Sequence, residues 1–460
     1  MKLSDATRVH LVGIGGAGMS ALAQILLERG NPVSGSDLRG GPACSVLEAM
    51  GATVHIGHDA AHVEDADLVV VSNAVPAGNV ERRRGDDLGL PVILRADLLE
   101  LLLEGQRRIL VSGTHGKTTT TSMIVVALQA AGLDPSFAIG GALHDSGTSA
   151  HHGSGPHFVA EADEAFRSFL RLTPDCGVIT NVEMDHHDTY ADLDAVRTAF
   201  DAFLARRPHG GVVIVCGDDP EARALGQRAG GDVRTYGTAA DADVRVGDIT
   251  QAGERGTAFR LHASGEDHGT FTVGVPGHHN ALNAAAAVAA ALWAGADVEA
   301  VREGLVRFRG AQRRFQRIGV AAGVTIVDDY GHHPTELRAT IAAARHTGPA
   351  GRVVAVFQPH RYSRTAALGA DLGRALAGAD LVVVTDVYAA GEAPVPGITG
   401  ELVADAAADA GVEVRYLPRL SQLPRVLAEL VGPGDLVLTM GAGDITEVGP
   451  QLLQRLEGRA

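Results

Sequence analysis

The sequence predicts an α/β protein of about three domains, and three observations carry that prediction. The chain has 460 residues, more than one hydrophobic core organises when domains run at roughly 150 residues. Short β-branched runs alternate with helix-period stretches, the pattern of parallel strands joined by covering helices. Six of those runs end directly in polar clusters, which is where open parallel sheets place their ligands. Composition agrees. Hydrophobic residues make up 45% and charged residues 20%, a globular balance that excludes disordered, collagen-like and coiled-coil chains. Fifty-five acidic against 39 basic residues leave a net charge of −16. That excludes a general binder of nucleic acid or anionic membrane and leaves room for a local basic pocket.

In chain order, the expected strands are Val9–Ile14, Leu68–Ser72, Ile109–Ser112, Phe158–Ala160, Val178–Thr180, Val212–Cys216, Val324–Val327, Val353–Phe357, Leu381–Thr385 and Leu436–Thr439. Their continuous apolar character implies parallel sheets buried on both faces. Met123, Val126, Ala127 and Ala130 form a helical stripe. A charged helix over Arg95–Gly105 closes the first βα set. A second set runs to about Gly310, before the basic pair Arg313-Arg314, and a third fills the remainder. The Gly/Pro loop Asp386–Gly400 and the Gly/Ser/His-rich segment Ser146–Pro156 are long enough to be functional or mobile. Cys44, Cys176 and Cys216 make neither a disulfide framework nor a metal spacing. The start carries no signal-peptide pattern. The alanine-rich run Ala284–Ala296 is too short for a bilayer, which needs about 20 apolar residues. The expectation is a cytoplasmic chain with no membrane span, monomeric or weakly dimeric.

Two glycine-rich turns carry the chemistry. Gly13-x-Gly15-x-x-Gly18 lies between a strand and a helix, with Asp37 at the distance expected of a ribose contact. Backbone N–H groups at such a helix N-terminus favour a diphosphate, and NAD and a UDP-sugar fit equally. Gly113–Thr121 (GTHGKTTTT) is the stronger signal. Gly113, Thr114, His115 and Gly116 form a phosphate cradle, Lys117 reaches the β/γ-phosphates, and Thr118 offers a hydroxyl to Mg²⁺. The full P-loop spacing would want glycine at position 111, where this chain has Val111. Lys117 is one of only two lysines, the other being Lys2. The turn therefore predicts ATP binding, with Thr119 and Thr120 also near the phosphates.

Further clusters follow the later strands. Glu161, Asp163 and Glu164 suit Mg²⁺, with a solvated acidic turn as the other reading. Asn181-x-Glu183-x-Asp185-His186-His187 adds a second polar group, and no zinc pattern is present. Asn280 and Asn283 share a helix face and present amides suited to an adenine edge, with N-capping by Asn280 as the other reading. Arg313-Arg314 is either a solvated pair or a phosphate clamp supplied from another domain. Arg361 and Arg364, three apart after a strand, make a carboxylate trap.

Together, Gly13–Ser20, Arg95–Leu99, Gly113–Met123, Asn181–Asp188, Arg313–Gln316, Asp328–Glu336, Gln358–Arg361 and Asp386–Gly397 resemble the Mur ligases of peptidoglycan synthesis, in the family's order along the whole chain. Within the family the strings are most similar to the alanine-adding branch. The resemblance implies three domains: a Rossmann-like UDP-sugar domain over 1–106, a central P-loop-type ATPase domain with a mostly parallel sheet over 107–311, and a C-terminal Rossmann-like amino-acid domain over 312–460. It implies that UDP-N-acetylmuramate and L-alanine are joined with ATP and Mg²⁺ through an acyl phosphate.

The resemblance assigns Gly13, Gly15, Gly16, Ala17, Gly18, Asp37 and Ser72 to the UDP-sugar. Gly113–Thr119, Asn280, Asn283 and Asp329 go to ATP, and Thr118, Glu161 and His186 to the metal. Tyr330, His332, Arg361 and Arg364 surround the alanine, and Lys117, His186, Arg314 and His332 act in catalysis. The family's Glu-Ala-Asp-Glu-Ser-Asp reads Ala165-Phe166 at its last two places here. No lysine is available for the carbamylated position of several sister ligases, as in the alanine-adding branch. The competing expectations are a recycling ligase that adds a tripeptide, an NAD-dependent dehydrogenase, and a nucleotide-regulated binding protein without turnover.

Overall fold

The computed structural model describes residues 3–253 and 256–458. The chain packs as two compact units. One holds the residues up to Val182 with Arg197–Thr235 and Ala286–Gly304; the other holds Glu183–Val196, Tyr236–Ala285 and the residues from Leu305 onward.

The first unit begins with a five-stranded parallel sheet. Its elements in order are β1 (Val9–Val12), α1 (Ala17–Glu28), β2 (Val33–Asp37), α2 (Pro42–Ala49), β3 (Thr53–Ile56), β4 (Leu68–Val71), α3 (Val80–Asp87), β5 (Val92–Leu94) and α4 (Arg95–Leu102). The order β3-β2-β1-β4-β5 puts β1 at the centre, and the glycine-rich turn leaves its carboxyl end at the point where strand order reverses. The next elements are β6 (Arg107–Ser112), α5 (Lys117–Ala130), β7 (Ser136–Ala138), β8 (Ala150–His151), β9 (His157–Glu161), β10 (Cys176–Ile179), α6 (Leu193–Ala205), β11 (Val212–Cys216) and α7 (Pro220–Ala229). Strands run in the order β11-β10-β6-β9-β7-β8. All are parallel pairs except β7 with β8. Helix α5 is helical despite four consecutive threonines, which are poor helix formers, because it is buried almost all round rather than along one stripe.

β12 (Asp232–Gly237) pairs in parallel with β13 (Val244–Ala252), and the second unit contains an antiparallel group, β13, β14 (Gly256–Ala263) and β15 (Glu266–Val273). It was not visible in the sequence, because its strands alternate exposed polar and buried apolar residues. Next in the chain come helices α8 (His278–Ala294) and α9 (Val298–Arg307), of which Ala286–Gly304 belongs to the first unit.

The C-terminal sheet comprises β16 (Gln316–Ala321), β17 (Val324–Asp329), α10 (Pro334–His346), β18 (Val353–Phe357), α11 (Tyr362–Leu376), β19 (Leu381–Val384), α12 (Glu401–Asp409), β20 (Glu413–Tyr416), α13 (Leu423–Leu430), β21 (Leu436–Met440) and α14 (Val448–Glu457). The order is β16-β17-β21-β18-β19-β20, parallel except for β16. Alternate residues of β18 serve two cores. Val353, Ala355 and Phe357 pack with Leu337, Ile341, Leu372 and Leu376 on one face. Val354 and Val356 pack with Leu427, Val448 and Leu452 on the other. This is the two-sided burial that the apolar runs predicted. Among the described residues, no helix is long and apolar enough to cross a membrane.

Leu376 is fully buried in the first of these cores. Leu376→Ala is expected to cost about 2–5 kcal/mol in urea unfolding.

Candidate active site

Every strand that the sequence singled out for its polar terminus delivers that terminus to the carboxyl edge of its sheet. At β6 the chain turns through Gly113, at φ +133°, and Gly116, at φ +80°, before α5 starts on Lys117. A methyl on Gly113 would run into the Thr180 hydroxyl, so the turn requires glycine there for space as well as conformation. The loop is braced from β10. The His115 amide donates to Asn181 Oδ1 at 2.8 Å, while Asn181 Nδ2 and the Thr180 hydroxyl both donate to the His115 carbonyl. Thr114, Thr118 and Thr119 are buried in the first turn region.

The Lys117 ammonium donates to the Gly113 carbonyl at 2.7 Å and to both Glu164 carboxylate oxygens at 2.9 and 3.1 Å. Asp163 stands at 3.7 Å. Burial alone would lower the pKa of Lys117. The Glu164 and Asp163 charges outweigh it and hold the ammonium firmly protonated. Glu161 ends β9 and accepts the Gly140 amide at 2.6 Å. Glu164 was read from the sequence as a metal candidate, and its place in the structure is the counter-charge of Lys117. Ala165 and Phe166 begin a short 3₁₀ stretch in which Phe166 and Arg167 are left-handed.

The first glycine-rich turn has the same construction. Gly13, at φ +84°, leaves β1, Gly16 caps α1, and Ala17 and Gly18 form its first turn. Asp37, at the end of β2, accepts the Gly15 amide at 3.0 Å, so it braces the loop. Ser72 lies directly under Gly13, where an added Cβ would meet it at 3.2 Å. The Arg95 guanidinium lies against Gly18 at the N-terminus of α1. That adds a positive charge, which the sequence offered only as part of the string Arg95–Leu99.

In the second unit, Arg364 is buried and grips Asp185 through three hydrogen bonds of 3.0–3.1 Å. Its fourth contact, at 3.1 Å, goes to His360 Nδ1. Burial would raise the pKa of Asp185, but Arg364, His186 and His332 hold it far below the usual carboxylate range. Arg361 is the more accessible arginine and pairs with Asp188 at 2.9 Å. Its backbone lies at φ +70°, fixed by an amide bond to the Tyr388 carbonyl. The carboxylate trap read from the sequence thus divides into a structural arginine, Arg364, and a presented one, Arg361.

An aromatic and imidazole wall stands beside this pair. Tyr330 and His332 meet edge-on at 5.3 Å, and His360 stacks on Tyr388 at 5.7 Å. His332 Nδ1 lies 3.0 Å from the Tyr330 carbonyl. It therefore carries the proton, and Nε2 is left as the acceptor. Arginine can only donate, so His360 takes the opposite tautomer. Burial, then Arg364, lowers the pKa of His332 to about 3 and that of His360 to about 4.

The remaining sequence candidates divide between bracing and presentation. Asp329 is buried, which pushes its pKa up, and it accepts the amides of Phe315 and Gly331 at 2.8 Å. Arg313 bonds Asp328 and the Gly441 carbonyl, so it ties the sheet together. Arg314 lies 3.3 Å from Glu336, and both arginines flank the Tyr330 ring at about 5 Å. His186 has φ +51°, and its amide donates to Asp185. Asn280 is the third residue of α8 rather than its cap. It donates to the Pro276 carbonyl and accepts from Asn283, so the capping reading is set aside. Asp185, Asp188 and His360 were the partners that sequence reasoning left without roles. Their only signal was a position just after a strand, and Asp185 lies 179 residues from Arg364.

Residues 8–107 match the Mur ligase family catalytic domain, 111–291 the Mur ligase middle domain, and 313–443 the Mur ligase glutamate ligase domain. The chain belongs to the Mur ligase family. A Mur ligase relative from Acidothermus cellulolyticus, named UDP-N-acetylmuramate–L-alanine ligase, is 49% identical over 100% of this chain and 97% of its own. One of the same name from Streptomyces avermitilis is 48% identical over 98% and 97%. Among solved structures, the UDP-N-acetylmuramate–alanine ligase of Thermotoga maritima superposes with a TM-score of 0.83 at 29% identity, covering 98% of this chain and 100% of that one. A murein peptide ligase from Psychrobacter arcticus gives 0.72 at 26%, covering 98% and 99%.

The buried imidazoles set a pH dependence. His332 and His360 take up protons near 6.5 when unfolded but only near 3–4 when folded. Their contribution to stability is complete above 6.5 and is lost as pH falls toward 4, at no more than about 1.4 kcal/mol per pH unit for each. Denaturant unfolding at pH 7.5, 6 and 5 should show this decline, and His332→Asn should flatten it.

Proposed function

We propose that this protein joins L-alanine to the lactyl carboxylate of UDP-N-acetylmuramate with cleavage of ATP, a step in the supply of peptidoglycan precursor in the cytoplasm. The observation that carries the reading is 48–49% identity, over 98–100% of the chain, to relatives of that name. The side chains suit each part of the reaction. Residues 1–106 would hold the UDP-sugar, with its diphosphate over Gly13–Gly18 and its ribose at Asp37. Residues 107–311 would hold ATP on the Gly113–Thr119 cradle, with adenine against Asn280 and Asn283. Residues 312–460 would hold alanine and supply Asp329 to the nucleotide ribose.

Chemically, the carboxylate attacks the γ-phosphorus, giving an acyl phosphate and ADP. The Lys117 ammonium, already charged, stabilises the phosphoryl oxygens as their charge shifts. The amine of alanine, having lost a proton, then attacks the acyl carbon, and phosphate leaves from the tetrahedral intermediate. Arg361 would pair the alanine carboxylate, and Tyr330 and the unprotonated Nε2 of His332 would face its amine. Arg314 would contact phosphate. Mg²⁺ suits the oxygen donors Thr118 and Glu161, with His186 as the third ligand, and would neutralise phosphate charge.

The deciding assay is phosphate release with ATP, Mg²⁺ and UDP-N-acetylmuramate, adding L-alanine, glycine, L-serine or the tripeptide L-Ala-γ-D-Glu-meso-diaminopimelate separately. Release that needs both the UDP-sugar and L-alanine is expected, and release with the tripeptide alone would refute the reading. Lys117→Ala should reduce turnover by at least about 100-fold with the fold retained by circular dichroism. Arg361→Ala should raise KM for alanine about tenfold or more while KM for ATP stays put.

A further inference from the structure

A buried carboxylate that the proposed reaction does not use lies under the UDP-sugar turn. Glu81, on α3, is fully buried, as are His10 on β1 and Ser36 on β2. An ionised carboxylate in such a place is tolerated only when its oxygens are hydrogen-bonded. Here they are. The Ser36 hydroxyl donates to Oε2 at 2.5 Å, His58 Nδ1 lies at 3.0 Å, and His62 Nδ1 lies at 2.7 Å from Oε1. The Asp59 amide donates to Oε1 at 3.4 Å, and His10 Nε2 stands at 3.8 Å. Burial would raise the pKa of Glu81, but the nearby His10 ring and the bonds from Ser36 and His62 take it down to about 2. His55 stacks on His62 at 3.9 Å and fixes that ring.

Ser36 links this cluster to the ligand turn. Its side chain is tied to Glu81, while its carbonyl accepts the amides of both Gly13, at 2.8 Å, and Ile14, at 3.0 Å. The next residue, Asp37, takes the Gly15 amide. The Ser36–Asp37 segment therefore sets the position of the first three residues of the turn, and Glu81 sets the position of Ser36.

We propose that Glu81 is a positioning residue for the diphosphate of the UDP-sugar, acting through Ser36 on the Gly13–Gly15 backbone. The proposal rests on the function proposed above. Its test is calorimetric binding of UDP-N-acetylmuramate, with steady-state kinetics, for Glu81→Gln, Ser36→Ala and the double variant.

Glu81→Gln keeps the shape and removes the charge. It should weaken UDP-N-acetylmuramate binding roughly tenfold, raise its KM in step, and leave kcat and KM for ATP within about twofold. Ser36→Ala should shift the same constants in the same direction, and the double variant should be no worse than Glu81→Gln, as expected of one linked path. If Glu81→Gln does not fold, Ser36→Ala alone decides. Unchanged UDP-sugar binding in a folded Ser36→Ala variant would overturn the proposal, as would equal losses toward ATP and the UDP-sugar in Glu81→Gln. A wild-type protein that binds the UDP-sugar without alanine-dependent phosphate release would fail the functional reading instead. The binding comparison would still judge Glu81.

Discussion

The register of β6 against its two neighbours is the constraint on which the surroundings of Lys117 depend. Val111 pairs with Glu161 of β9, and Ser112 pairs with Ile179 of β10. The acidic segment and the Thr180-Asn181 pair therefore leave the sheet beside the Gly113 turn. A slip of one residue would turn each side chain to the opposite face and leave Lys117 buried without its carboxylates. Because all three strands are apolar and covered on both sides, their register is held by the core, and the charged groups at the strand ends inherit that precision.

The second unit places its charged groups by the same logic but spends backbone strain to do so. His186, Arg313, Phe315 and Arg361 are non-glycine residues with φ between +49° and +70°, a conformation that persists only where surrounding bonds over-determine it. Those bonds are visible: Asp185 on the His186 amide, Asp329 on the Phe315 amide, and the Tyr388 carbonyl on the Arg361 amide. The long loop after β19 takes part as well. Glu392 accepts the Ser363 amide and hydroxyl, so it supplies a carboxylate at the start of α11. The Gly/Pro-rich segment is thus a built support for the arginine pair.

Much of this was legible. The ten apolar runs all became strands, with ends shifted by a residue or two, because a strand buried on both faces is apolar throughout. Strands that are half exposed or polar were not seen. Thr53–Ile56 and Glu413–Tyr416 are half exposed, and β2 is largely polar. The antiparallel group β13–β15 hides for the same reason. At the site, the sequence marked which residues carry charge but not which charges neutralise one another. Arg364 with Asp185, Arg313 with Asp328 and Lys117 with Glu164 are each pairs whose members read alone as ligand groups.

What the sequence by itself determined is the set of turns: glycine where the backbone must be left-handed, a lone internal lysine at a helix start, and polar residues at strand ends. Those are local requirements, and local chemistry is written in neighbouring letters. Tertiary structure decided which groups remain presented and which are consumed. Arg361 is held toward the surface while Arg364 is buried. The reason is desolvation. A charge removed from water must find a partner, and the nearest one in space lies 179 residues away along the chain in the case of Arg364.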